Sequence, residues 1–261
     1  MKKQNKSKGK FKWNSTRNKL IANMTAMALI PLLVLTIVSN VITKTNFTDE
    51  LEHTTEETTE QASKSLDYKL QGVANQLHLL SHNINFTEFY ENPMNATYGF
   101  YLLEGTLNTS DEYANVYFAS TKKDMVMAPK DELPENYDPT QRDWYKGAVK
   151  KDGQVFYSEP YQDAVTNQTI ITIAQAVKDK QENIVGVAAV DLDISNFSKA
   201  VSDIQIGEKG YMTIMSSAGI FIAHPDKAMM GKSAKDLDLW KDMAKTKEGY
   251  SNPELFTDFM K

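Results

Sequence analysis

The chain has 261 residues, no cysteine and a formal net charge of −5. The lack of cysteine excludes a disulfide framework. Eight cations lie in the first nineteen residues, and without them the net charge is −13, which makes the remainder a poor ligand for nucleic acid or anionic lipid.

The predicted elements begin with a basic tail, residues 1–19, and a stretch without charges, residues 20–43. As a helix this stretch would span about 36 Å, which exceeds the roughly 30 Å hydrocarbon core of a bilayer. A cleaved signal peptide is the alternative, but no small-residue cleavage site stands out after Thr36. We therefore predict an uncleaved transmembrane helix in the cell membrane. The positive-inside rule puts the tail in the cytoplasm and residues from about 44 onward outside the cell.

Residues 44–84 carry a helical pattern and are predicted to form a long stalk helix. From Leu51 to Leu80, apolar or small residues recur at every third or fourth position, which is the period of one helix face. The narrow stripe has two interpretations that both remain open. The helix can pair with the stalk of a second copy in a homodimer, or it can cover one sheet as a solvated amphipathic helix.

Three pairs of β-prone runs follow, each pair joined by a short polar turn. The first and third pairs share a layout of strand, turn, strand and proline-containing exit, which favours an α+β unit used twice. The predicted hairpins comprise residues 113–119 with 125–128, 169–177 with 184–192, and 211–215 with 220–223.

The segment YDPTQRDWYKGA, residues 137–148, places Arg142 among large aromatic residues. The pair Asp138–Pro139 is typical of a helix start, so we predict a helix over residues 139–150. On that helix Arg142 and Tyr145 would share one face. Because aromatic rings exclude water, a guanidinium among them needs a bidentate acceptor such as a carboxylate.

A complementary acidic group is predicted further along the chain. Every second residue from Val185 to Asp191 points to one side of the predicted strand, so the carboxylate of Asp191 continues an apolar row. Tyr161 and Asp163 lie on a loop that could close over the same face. A cation at one end and acids at the other complement a zwitterion, with Arg142 facing an α-carboxylate and the two aspartates facing an α-ammonium.

These residues carry a family resemblance. The run Y-D-P-x-x-R-x-W-Y-x-x-A, then S-x-P-Y-x-D, the TIITIAQAV hairpin and G-V-x-x-x-D resemble the membrane-distal module of double-Cache ectodomains of bacterial methyl-accepting chemotaxis receptors. IGEKGYMTIMSSAGIFIAHPDKAMMGK resembles the start of the membrane-proximal module. The resemblance implies tandem PAS-like modules with antiparallel sheets, at residues 85–200 and, incompletely, 201–261. In the amino-acid-binding subgroup, the resemblance implies a carboxylate side of Tyr137, Arg142, Trp144 and Tyr145, and an amine side of Tyr161, Asp163 and Asp191.

The resemblance further implies extracellular sensing of a free L-amino acid by a chemotaxis receptor, with a cytoplasmic adaptor and kinase as partners of its output part. The second unit would be short, and no second membrane span or signalling helix precedes the end at Lys261. We therefore expect a fragment or a truncated gene product.

Enzyme chemistry finds little support in the sequence. His78 and His82 lie one helical turn apart and could chelate a metal, but no glutamate stands between them as in H-E-x-x-H. MGKS, residues 230–233, would need a glycine where Asp226 stands to form a phosphate-binding loop. We predict no catalytic residue, no metal and no cofactor.

Alternatives remain open for the site and for the function. An internal salt bridge from Arg142 to Asp143 or Asp163 would explain the buried cation without a ligand. The ectodomain could instead belong to a sensor histidine kinase or a cyclase. From a different class, it could be a membrane-anchored hydrolase or adhesion module, which ligand turnover would distinguish from a sensor.

Overall fold

The structure of this chain is a computed structural model that describes residues 16–195, 198–199, 205–206, 210–235 and 240. The chain divides into two compact units, residues 1–58 and 59–261. The helices are α1 (Thr16–Ser81), α2 (Ile84–Thr87), α3 (Asn95–Leu107) and α4 (Asp143–Lys150), with 3₁₀ turns at Pro139–Gln141 and Lys227–Met229. The strands are β1 (Tyr113–Ser120), β2 (Met125–Ala128), β3 (Phe156–Tyr157), β4 (Tyr161–Gln162), β5 (Thr169–Lys178), β6 (Ile184–Asp193), β7 (Gln205–Ile206), β8 (Gly210–Tyr211), β9 (Ile214–Met215) and β10 (Phe221–Ala223).

The part of α1 in the first unit includes a segment, Thr16–Lys44, that is long and apolar enough to cross a membrane. Its most apolar window has a mean hydropathy of 2.2, and none of that window is buried. This segment contains the predicted span, residues 20–43. The direction of insertion stays a prediction.

The predicted stalk is helical as far as Ser81, where α1 ends. Asn83 then caps the short helix α2, because its side-chain oxygen accepts a hydrogen bond from the backbone N–H of Asn85 at 3.0 Å. In the second unit, the last turns of α1 bury Val73, Leu77 and Leu80. This buried stripe fits the prediction that the amphipathic face covers a sheet.

A six-stranded antiparallel sheet forms the centre of the second unit. Its order is β2-β1-β6-β5-β3, and β4 also pairs with β5. The first two predicted hairpins are confirmed as β1–β2 and β5–β6. Because β1 pairs with β6, the two hairpins form one continuous sheet. The predicted combination of helices and antiparallel sheet is therefore confirmed.

The two faces of this sheet are covered by different helices. The end of α1, with α2 and α3, contributes to the core on one face, and α4 contributes to the core on the other. The first core includes Leu77, Leu80, Phe86, Leu103, Phe118, Ile173 and Val190. The second core includes Tyr117, Ala119, Met127, Trp144, Ala174, Val187 and Ala189.

Two details of the predicted strands are wrong. Val185 packs against the first core and not in a row with Val187, because the β5–β6 register shifts between Val177 and Lys178. The apolar row that ends at Asp191 therefore begins at Val187. The third hairpin is shorter than predicted, since β9 and β10 form it alone and Tyr211 belongs to β8, which pairs with β7.

The described part of residues 201–261 contains two two-stranded sheets, β7–β8 and β9–β10. Phe221 and Ala223 are buried in this region. The predicted module boundaries, 85–200 and 201–261, stay predictions. The part of the second module after residue 240 lies outside the described residues.

Candidate ligand-binding site

The site is built around a buried carboxylate on the central strand β6. Asn115 on β1 and Thr172 on β5 both lie directly opposite Asp191 in the register of the sheet. Cross-strand partners point to the same side, so all three side chains lie on the face that α4 covers. Asp191 is only 2% exposed.

Three neutral groups donate hydrogen bonds to this carboxylate. The hydroxyls of Tyr117 and Thr172 donate to Oδ1 of Asp191 at 2.8 and 2.6 Å. The amide of Asn115 donates to Oδ2 at 3.2 Å. Burial raises the pKa of Asp191 to about 6, although these hydrogen bonds oppose the shift. Among the described residues no cation pairs with Asp191, so the site favours a positively charged group from outside the chain.

Tyr161 extends this network towards the edge of the sheet. Its hydroxyl lies 2.6 Å from Oγ1 of Thr172. Because the hydroxyl hydrogen of Thr172 is directed to Asp191, Tyr161 is the donor in this contact. Burial, followed by the charge of Asp191, raises the pKa of Tyr161.

Asp163 lies at the end of β4, on the turn that leads into β5. Its Oδ2 accepts hydrogen bonds from the backbone N–H and the hydroxyl of Thr166, at 2.7 and 2.8 Å, and from the backbone N–H of Val165 at 3.2 Å. These bonds fix the turn. Oδ1 makes no hydrogen bond to the described residues, so it is available to a ligand.

Arg142 lies between the 3₁₀ turn and α4, in an extended conformation with φ −75° and ψ 149°. The predicted continuous helix over residues 139–150 is therefore wrong. The predicted cap at Asp138 is confirmed, since its Oδ1 accepts from the N–H of Thr140 at 3.0 Å, but it caps the 3₁₀ turn. The break at Arg142 also removes the face that it was predicted to share with Tyr145.

Arg142 is half-buried, and the central carbon of its guanidinium lies 5.5 Å from the ring centroid of Tyr137. Within the described residues it forms no ion pair with Asp143 or Asp163, so the internal salt bridge considered above is absent. A half-buried guanidinium without an acceptor favours an anionic group from outside the chain.

These groups line one small cavity, whose space of about 310 Å³ includes open solvent at its mouth. Five of the seven predicted site residues line it, namely Tyr137, Arg142, Tyr161, Asp163 and Asp191. Its wall also contains residues that sequence reasoning missed, namely Asn115, Tyr117, Met125, Met127 and Leu133. Asn115 could have been found only with knowledge of the β1–β6 register, which brings it opposite Asp191.

Trp144 and Tyr145, the other two predicted site residues, do not line this cavity. Trp144 lines a neighbouring cavity that shares Arg142 and Tyr161 with the first. Its ring packs edge-on against Tyr117 at 5.0 Å. Tyr145 is buried in the second core, and its hydroxyl has no hydrogen-bond partner among the described residues. Ligand contacts by these two residues stay predictions.

No cluster of three or more potential metal ligands occurs in the part of the chain that the structure describes. The ring centroids of His78 and His82 lie 4.2 Å apart. Nδ1 of His82 contacts the backbone carbonyl of His78 at 2.8 Å.

Comparison with protein families assigns this fold. The family model dCache_1, described as a Cache domain, matches residues 39–259. The chain belongs to the Cache-domain family. The resemblance seen in the sequence motifs is thereby confirmed, and the buried-carboxylate site lies on the central sheet of this Cache domain.

Curated relatives of this Cache domain are methyl-accepting chemotaxis proteins. McpC of Bacillus subtilis (strain 168) is 31% identical over 232 residues, covering 88% of this chain and 35% of McpC. TlpB of the same organism is 32% identical over 177 residues, covering 68% of this chain and 24% of TlpB. The chain thus spans about a third or less of the length of these relatives.

Solved structures similar to this Cache domain are ligand-binding domains of chemoreceptors. That of Pseudomonas fluorescens CtaA in complex with L-isoleucine has 30% identity and a TM-score of 0.61, covering 72% of this chain and 74% of that chain. The ligand-binding domain of Pseudomonas aeruginosa PAO1 PctB in complex with L-Arg has 26% identity and a TM-score of 0.55, covering 65% of this chain and 69% of that chain.

Proposed function

We propose that this Cache domain senses a free L-amino acid reversibly, without chemical conversion, as the extracellular part of a chemotaxis receptor. The observation that carries the proposal is the pair of unmatched charges in one cavity. Asp191 is a buried carboxylate held only by neutral donors, and Arg142 is a guanidinium without an acceptor among the described residues. A zwitterion with an α-ammonium at Asp191 and an α-carboxylate at Arg142 neutralises both.

The surrounding groups suit this orientation. Asp163 offers a second carboxylate oxygen to the ammonium. The hydroxyl hydrogens of Tyr117 and Tyr161 are already donated to Asp191 and Thr172, so of the three tyrosines that line the cavity Tyr137 has the hydroxyl that can donate to the ligand. The similarity to chemoreceptor domains solved with L-isoleucine and L-Arg supports the same ligand class here.

The remaining parts of the receptor are inferred from the relatives. The basic tail would lie in the cytoplasm, α1 would cross the membrane once, and the Cache domain would face the outside of the cell. Homodimerisation through paired stalk helices would carry the signal to a chemotaxis adaptor and kinase on the cytoplasmic side. Ligand binding can bias such an equilibrium tenfold with about 1.4 kcal/mol of differential affinity.

A ligand screen tests the proposal directly. A micromolar dissociation constant corresponds to about −8.2 kcal/mol, or roughly −0.9 kcal/mol for each heavy atom of a nine-atom amino acid, which is within the limit of about −1.5 for small ligands. At a hundredfold excess over that constant, mass action adds about 2.7 kcal/mol of stability. In the full chain in detergent micelles, we expect at least one of the twenty L-amino acids to raise the melting temperature by about 5–10 °C.

The matched controls for this screen are the des-amino acid and the decarboxylated amine of the best ligand, each of which should give a much smaller shift. Recovery of the ligand unchanged after long incubation distinguishes a sensor from a hydrolase. No shift with any amino acid at millimolar concentration would contradict the proposal.

Binding should also depend on pH with a defined sign. The ammonium pairs with the ionised form of Asp191, whose pKa is about 6 in the empty site, so protons compete with the ligand as the pH falls through that value. Affinity should be about tenfold weaker at pH 5 than at pH 7.5. Calorimetric titration across this range measures the effect. An Asp163→Asn variant should bind more weakly and keep the loss of affinity at low pH, with the midpoint moved to lower pH because the charge of Asp163 contributes to the raised pKa of Asp191. A flat profile, or one that Asp163→Asn removes, would show that Asp191 does not receive the ammonium.

A further inference from the structure

We propose that the site selects amino acids with uncharged aliphatic side chains larger than that of alanine, through a subsite of Met125, Met127 and Leu133. This inference rests on the proposed function, because it assumes that Arg142 and Asp191 hold the two charged ends of the ligand.

The sheet places this subsite beside the charged end. β2 is separated from β6 only by β1, and Met127 lies directly opposite Tyr117, whose hydroxyl binds Asp191. Neighbouring strands are about 4.8 Å apart, so the side chains of β2 emerge about 10 Å from the strand that bears Asp191. A ligand whose ammonium is held at Asp191 can therefore extend its side chain across β1 towards β2.

The residues that line the cavity determine which ligand side chains can bind there. Met125 lies two residues before Met127 on β2 and so points to the same face, and both line the cavity together with Leu133 and Val165. The charged residues lining the cavity are Arg142, Asp163 and Asp191, which the two ends of the zwitterion already engage. A charged ligand side chain would be desolvated here without a partner.

The same residues indicate selectivity for a class and not for one amino acid. Methionine side chains are flexible and adapt to ligands of different shape, so two of them can accommodate both γ-branched and β-branched side chains. The cavity that these residues line is small. Large aromatic side chains should therefore be disfavoured.

Calorimetric titration of the full chain in detergent micelles with single amino acids tests the inference. Each buried methylene should tighten binding about fourfold, so L-leucine, L-isoleucine and L-methionine should bind at least tenfold more tightly than L-alanine, L-lysine or L-glutamate. L-lysine or L-glutamate binding as tightly as L-leucine would overturn the inference while leaving the proposed function intact. If no amino acid bound, including L-alanine, the proposed function would fail and the inference with it.

A charge introduced at the subsite provides the second arm of the test. Met125 is partly exposed on an edge strand, where substitution should leave the fold intact. Met125→Glu should lower the affinity for L-leucine at least tenfold and raise the affinity for L-lysine. The uncharged control Met125→Gln should lower the affinity for L-leucine without raising that for L-lysine. If Met125→Glu left the affinity for L-leucine unchanged, the ligand side chain would lie elsewhere and the inference would be overturned.

Discussion

Replacing Arg142 with alanine is expected to abolish amino-acid binding and to leave the fold intact. The substitution removes the cation opposite the ligand carboxylate, and loss of one partner of a buried charged pair costs about 2–5 kcal/mol, or roughly 30- to 5,000-fold in affinity. Within the described residues, no hydrogen bond or ion pair depends on the guanidinium, so the free energy of unfolding should change little. Calorimetric titration and thermal unfolding of the full chain in detergent measure the two effects separately.

Two variants and one ligand analogue identify the cause of that loss. Lys146→Ala removes an exposed cation in the first turn of α4, four residues after Arg142, and should leave affinity unchanged. Arg142→Lys should also fail, since an ammonium cannot replace the bidentate fork of the guanidinium. The decarboxylated amine should bind weakly to the wild-type chain and to Arg142→Ala alike. An amine that lost affinity in Arg142→Ala as strongly as the amino acid does would show that Arg142 does not bind the carboxylate.

Asp191→Asn is expected to abolish binding and, at the same time, to stabilise the empty domain. The pKa of Asp191 is about 6 in the folded chain against a usual value of 3.8. Folding is therefore favoured by the protonated form. This stabilisation of the folded chain by protonated Asp191 is fully present below pH 3.8 and is lost as the pH rises through 6. Above that pH the ionised carboxylate lowers the free energy of unfolding by about 3 kcal/mol.

The asparagine variant has no such titration. Its side-chain oxygen can still accept from Tyr117 and Thr172, and Asn115 can flip its amide to accept from the new NH₂ group. At pH 7.5 the variant should exceed the wild type by up to about 3 kcal/mol, and this difference should disappear below pH 4. Urea unfolding at several pH values measures the difference. A variant less stable than the wild type at pH 7.5 would mean that the carboxylate stabilises the empty domain.

Much of the fold followed from local patterns in the sequence. The β-prone runs at residues 113–119 and 184–192, and the short polar turns between paired runs, are sufficient to predict two hairpins because they depend on neighbours in the chain. The helical period up to Leu80 and the apolar segment 20–43 are local in the same way. The need of Arg142 and Asp191 for oppositely charged partners could also be predicted from the sequence, because a buried charge requires a partner.

The remaining features depend on contacts between distant segments. That Asn115 and Thr172 flank Asp191 follows from the order β1-β6-β5, which the sequence alone does not specify. The break at Arg142 was missed because an Asp138–Pro139 start fits an α-helix and a 3₁₀ turn equally well. Met125 and Met127 were not predicted as site residues because apolar residues on a strand are ordinarily core residues.

The shortness of β4 affects how ligand binding would be observed. This strand has two residues, and its backbone pairs with β5 through Tyr161 with Ile170 and Gln162 with Thr169. So few ladder hydrogen bonds allow the edge to open locally at a free energy well below that of global unfolding. A ligand held by Tyr161 and Asp163 would have to keep this edge closed. Its apparent affinity would be its affinity for the closed edge multiplied by the fraction of time for which the edge is closed. Occupancy would then appear as slower amide hydrogen exchange in residues 161–168, while the exchange of β6, deep in the sheet, would hardly change.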